Sequence, residues 1–162
     1  MSSMAIRHVL FDADEVIQRT PGGWYAAMEA YLGDRSREFL HWTWRNELPP
    51  LAGQGDFLPL FAQDLRDFGV DAPAAEVFAD VWCRIEVDET SVAIARALRE
   101  RGFGVHLGTN QEQHRGGYMK AALGYEELFD VHCYSFELGV AKPEPAFFVE
   151  AVRRIGADPG SV

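Results

Sequence analysis

The stretch HVLFDADEVI, from His8 to Ile17, constrains this chain more than any other part of it. Val9, Leu10 and Phe11 run without alternation into Asp12 and Asp14, and apolar residues then resume. An apolar run lacking period-two alternation suits a strand covered on both faces, as in a parallel sheet. Two carboxylates at the end of such a strand repel each other unless a cation or a shared proton offsets one of them. The stretch therefore predicts a buried strand over 6–12 whose end presents a nucleophile and an acid/base to a cation.

Beyond this strand the hydrophobic period changes. From about Gly23 to Glu86 apolar residues recur at helical spacing in four groups. Trp24, Tyr25, Met28, Tyr31 and Leu32 end at Gly33, and Phe39 to Leu48 is closed by Pro49 and Pro50. Phe57, Leu60, Phe61, Leu65 and Phe68 end at Gly69, and Pro73 opens a fourth helix carrying Val77, Phe78, Val81, Trp82 and Ile85. A fifth helix over 89–101 leads into a second buried strand, Phe103–Leu107, which ends at Gly108, Thr109 and Asn110. Another helix, a third strand within Leu128–Tyr134 and a last helix after Lys142 and Pro143 complete the plan. This order gives an α/β fold: a Rossmann-like parallel sheet over 1–20 and 88–162, with a four-helix cap over 21–87 inserted after the first strand.

Composition narrows the function. The chain of 162 residues is 48% hydrophobic and 25% charged, which supports a folded core. A net charge of -10 without a Lys/Arg block disfavours nucleic acid. No apolar stretch approaches the roughly 18 residues of a membrane span, and the start runs directly into the first strand without room for a leader. Cys83 and Cys133 form no CxxC pair, so the expected setting is a reducing cytoplasm.

In parallel α/β sheets ligands bind at the carboxyl ends of the strands. Those ends and their loops carry Asp12 and Asp14, then Thr109 and Asn110, then Lys142. A carboxylate can attack phosphorus, and a second carboxyl can handle the leaving oxygen and the water. A hydroxyl with backbone N–H groups can hold phosphoryl oxygens, while a lysine neutralises charge.

Three motifs, FDADEV at 11–16, LGTN at 107–110 and GVAKPEPAFF at 139–148, make the chain resemble the haloacid dehalogenase-like (HAD) hydrolases over essentially its whole length. The resemblance implies Asp12 as nucleophile, Asp14 as general acid/base, Thr109 with Asn110 at the substrate phosphate, and Lys142 steadying charge. It also implies Mg2+ on the Asp12 side chain and the Asp14 carbonyl, and a small phosphorylated metabolite as substrate. Members that cleave carbon–halogen bonds lack an acid at the position of Asp14, so a phosphatase is favoured. A phosphomutase uses the same aspartyl-phosphate. A receiver-type signalling domain fits less well because of the long insert, and a non-catalytic binding protein or fragment is a further alternative.

Two departures stand out. Glu15 occupies a position where the family most often has glycine, and we expect it to face the cap hinge. Family members also continue beyond the equivalent of Val162 into a strand whose acidic residues complete the metal site. The last core strands are therefore expected to be missing, the Mg2+ site incomplete and the first-strand edge open to self-association. Trp24, Trp42, Trp44 and Trp82 are expected in the cap core. His8, His41, His106, His114 and His132 lack zinc-ligand spacing. Glu126 and Glu127 read as a solvated helix end, Cys83 and Cys133 as buried fillers, and Gln113 and Arg115 as surface residues.

Overall fold

A computed structural model describes residues 5–162; residues 1–4, on which the expectation of no leader falls, lie outside the described residues. Strands β1 (His8–Phe11), β4 (Gly104–Thr109) and β5 (Val131–Tyr134) form a parallel sheet in the order β1-β4-β5. Between β1 and β4 the chain forms β2 (Gln18–Arg19), α1 (Gly23–Leu32), α2 (Ser36–Leu51), α3 (Phe57–Asp67), α4 (Ala74–Val81), β3 (Glu86–Val87) and α5 (Glu89–Glu100). After β4 come α6 (Gln113–Ala122) and α7 (Tyr125–Leu128), and after β5 come α8 (Ser135–Leu138) and α9 (Pro145–Ile155). The α/β class and the parallel sheet are as the hydrophobic pattern predicts, but β1 is only partly buried at all four positions instead of covered on both faces. Among the described residues no helix is long and apolar enough to cross a membrane.

Register places the polar strand ends together. Phe11 pairs with Leu107, so Asp12 leaves β1 beside Gly108, and Thr109 pairs with Tyr134 at the end of β5. The sheet core gathers Ile17, Val92, Val105, Leu107, Met119 and Tyr134. A separate aromatic core fills the helical insert, where Phe39, Phe57, Phe61, Phe78 and Trp82 are buried against Trp24 and Trp44. Burying each such ring contributes about 1.5–3 kcal/mol, with edge-to-face pairs such as Phe39–Phe61 and Trp24–Trp82 adding to that. Trp42 is the exception to the expected cap core: its ring is exposed while its Nε1 donates to Asp64.

Several boundaries differ from the sequence pattern. α2 runs through Pro49 and Pro50 instead of stopping before them. Proline deprives a carbonyl four residues earlier of its partner, and here the deprived residues, Arg45 and Asn46, are not buried, so water can serve them. Leu128 ends a short helix, and the third strand starts only at Val131. The antiparallel pair β2–β3 has no counterpart in the sequence pattern, since two-residue strands carry no readable period. Among the described residues β1 pairs with β4 alone, although the Arg7 amide donates to the Ser161 carbonyl at 2.9 Å. Leu10 packs towards Phe147 and Ala151, leaving an apolar groove of about 370 Å³ walled by Phe148, Val149 and Val152.

Candidate active site

Asp12 is the first residue beyond β1, and its side chain is 47% exposed. Its Oδ1 accepts from the Ala13 amide at 2.7 Å, and its Oδ2 lies 2.6 Å from Lys142 Nζ. The same ammonium donates to the Gly108 carbonyl at 3.0 Å, so Lys142 bridges the ends of β1 and β4. Asn110 explains how a lysine in a loop reaches this point. Its Nδ2 donates to the Lys142 carbonyl and its Oδ1 accepts from the Lys142 amide, both at 2.8 Å. The resemblance gives Asn110 a substrate contact; the structure commits its amide to holding the Lys142 loop.

Asp14 sits in a different environment. Arg115 grips both of its oxygens, Nη1 to Oδ2 and Nη2 to Oδ1, each at 2.7 Å. Gln18 Nε2 donates to Oδ1 at 2.9 Å and Gln111 Nε2 to Oδ2 at 2.8 Å. Four donors fill the roughly four acceptor positions of a carboxylate. Burial pushes the Asp14 carboxyl up, but the bond and charge of Arg115 and the two amides outweigh it and hold it below the usual range. Gln111 Nε2 also donates to Thr109 Oγ1 at 2.9 Å, which ties the second strand end to Asp14. Thr109 itself is 1% exposed.

Arg115 corrects the sequence expectation most sharply. In place of the expected surface position, its side chain is only 4% exposed, whereas Gln113 is exposed as expected. Glu112 caps α6 by accepting from the amides of His114 and Arg115, which puts Arg115 in the first turn. Helical side chains lean towards the N-terminus, so a long residue there reaches back over the strand ends. That position is the signal the sequence offers, together with the need of a half-buried acid for a cation. Gln18 and Gln111, which donate to Asp14, are further site residues that the sequence pattern does not reveal. Glu15 is exposed, with a left-handed φ of 62°, the only such non-glycine among the described residues. Glu126 and Glu127 are solvated as expected, Cys133 is buried and Cys83 is partly so.

Among the described residues no three His, Cys, Asp or Glu side chains cluster as a metal site. The Asp14 side chain is closed off by Arg115, but the Asp14 carbonyl accepts no hydrogen bond among the described residues. One half-exposed carboxylate and one free carbonyl are hard oxygen donors. They fit Mg2+ in the manner of sites where water and substrate phosphate supply the other positions.

A model for haloacid dehalogenase-like hydrolases matches residues 6–162. The chain belongs to this family. Among solved structures, the HAD family enzyme bt-2542 from Bacteroides thetaiotaomicron, in complex with magnesium and inorganic phosphate, aligns with a TM-score of 0.76 at 20% identity, covering 97% of this chain and 82% of that one. A HAD phosphatase from Thermococcus onnurineus gives 0.59 at 23% identity, covering 96% and 74%. A dehalogenase in an intermediate complex gives 0.66 at 16% identity, again covering 96% and 74%. No curated protein matches the sequence. The HAD-like hydrolase fold thus rests on the family match and on these shared architectures.

Proposed function

We propose that this HAD-like hydrolase is a phosphatase of small phosphate monoesters that works through an aspartyl-phosphate on Asp12. The observation that carries this reading is the half-exposed Asp12 carboxylate with the Lys142 ammonium 2.6 Å from its Oδ2. An Asp12 oxygen attacks phosphorus, and the ester oxygen leaves with the bonding pair and takes a proton to become the alcohol. Water then attacks the phosphoryl group, losing a proton, and frees phosphate and the Asp12 carboxylate. Lys142 offsets negative charge as it gathers on Asp12 and the phosphoryl oxygens. Asp14, ionised at rest, gives up one of its four hydrogen bonds to take the proton of the attacking water. It returns that proton to the leaving ester oxygen of the next turnover. Mg2+, when bound through Asp12 and the Asp14 carbonyl, supplies further charge neutralisation. The bt-2542 complex with magnesium and phosphate and the Thermococcus phosphatase support the reading by analogy of fold.

Residues 21–87 then form the lid over this site, with the pair β2–β3 as its two-stranded stem. Its aromatic content suits a sugar, nucleotide or aromatic phosphate, and two free thiols suit a reducing cytoplasm. The test is release of phosphate from p-nitrophenyl phosphate with Mg2+, alongside mass spectrometry of quenched enzyme. The expected result is a phosphorylated peptide containing Asp12, with turnover lost in Asp12→Asn. Full turnover by Asp12→Asn overturns the mechanism, and no turnover by wild type on a panel of phosphate esters overturns the activity.

A further inference from the structure

We propose that Arg115 is a positioning residue through which the docked helical insert fixes the orientation of Asp14. This rests on the phosphatase reading, in which Asp14 handles protons, and adds to it the part that sets Asp14 in place.

The guanidinium divides its donors between two parts of the molecule. Nη1 and Nη2 take the two Asp14 oxygens in a parallel fork, which fixes the plane of the carboxylate as well as its place. Nε points the other way and donates to the Trp82 carbonyl at 2.7 Å, at the end of α4 in the insert. The Trp24 ring, on α1 of the insert, lies 5.0 Å from the guanidinium carbon. Arg115 itself is carried by α6, on the sheet side. One buried side chain therefore touches the catalytic loop and two helices of the insert. A shift of the insert moves the Trp82 carbonyl and the Trp24 face, and the fork on Asp14 must follow or break. A lysine would keep the charge but could not present a fork to Asp14 and a third donor to Trp82 in fixed directions. That difference separates positioning from mere charge balance.

The experiment measures kcat and KM on p-nitrophenyl phosphate with Mg2+ for wild type, R115K, R115M, D14N and the D14N/R115M double variant, each checked for folding by circular dichroism. The expected result is a fall in kcat on the order of a hundredfold in both R115K and R115M, the scale of a small misplacement of a reacting group. KM stays near wild type, and R115M adds no further loss to D14N, because Arg115 acts through Asp14. Wild-type kcat in R115K overturns the proposal even if R115M does not fold, and so does a loss that multiplies with that of D14N. Absence of turnover in wild type overturns the phosphatase reading instead. Crystal structures of wild type and R115K then decide the positioning alone: a turned Asp14 carboxylate supports it, and an unmoved one refutes it.

Discussion

Replacing Glu47 by glutamine tests how the charges around the site are balanced. Glu47 lies on α2 of the insert, is buried, and accepts from Trp82 Nε1 at 3.2 Å. Burial is the main cause that pushes its carboxyl up to about 7 from an ordinary 4.5. The Trp82 bond and the Arg115 charge pull it down, while the charges of Glu112 and Asp14 push it up. Arg115 is one cation facing several acids, and Asp14 has its fork. Because the folded carboxyl sits above the unfolded one, the folded state holds the extra proton between these values. The associated stability is fully present below about pH 4.5 and is lost as pH rises through about 7. At about 1.4 kcal/mol per tenfold, the ionised form costs the fold roughly 3 kcal/mol. Glutamine keeps an acceptor for Trp82 and cannot ionise. Urea unfolding of wild type and Glu47→Gln should show the variant's relative stability rising by roughly 2–3 kcal/mol between about pH 5 and pH 8. A difference between the two proteins that does not change with pH refutes the reasoning, since any fixed effect of the amide cancels in that comparison.

Two backbone positions give further tests. Glu15 holds a φ of 62° on an exposed loop, so Glu15→Gly should raise stability by about 1 kcal/mol, and a lower urea midpoint would count against the strain argument. A Cβ on Gly53 would meet the Phe136 carbonyl oxygen at 2.4 Å, at a φ of 73° and across the contact between insert and sheet domain. Gly53→Ala should therefore cost about 1–3 kcal/mol and lower Tm, and an unchanged Tm would show that this contact gives way freely.

The parts of the fold legible in the sequence are those with long-range pattern. Helices α1, α3, α5 and α9 follow their apolar spacing and their Gly or Pro punctuation, and the unalternating run before Asp12 is a parallel strand. The two-residue strands β2 and β3 are illegible because period needs length. Arg115 is hidden for another reason. A charged residue in a helix is usually solvated, and only a partner distant in sequence offsets the cost of burying it. Asp14 is that partner, 101 residues away. Asn110 is legible as a site residue, but its use is not, since a two-way amide clamp on Lys142 exists only once both loops are folded.

The two aspartates differ less in themselves than in the cation each meets. Lys142 brings a point charge on a flexible stem to Asp12 Oδ2, while Oδ1 accepts from the Ala13 amide and the carboxylate stays half exposed. Under the proposed mechanism such a partner lowers the cost of gathering negative charge there without blocking attack. Arg115 brings a rigid fork to both Asp14 oxygens and is itself anchored to the insert, so it gives orientation at the expense of freedom. Exchanging the two cations would therefore harm both roles. Under that mechanism an arginine on Asp12 would occupy the attacking oxygen, and a lysine on Asp14 would leave its plane unset. In the proposed mechanism, two carboxylates two positions apart act as nucleophile and proton carrier without merging into one repelling pair, because each has a cation suited to its task.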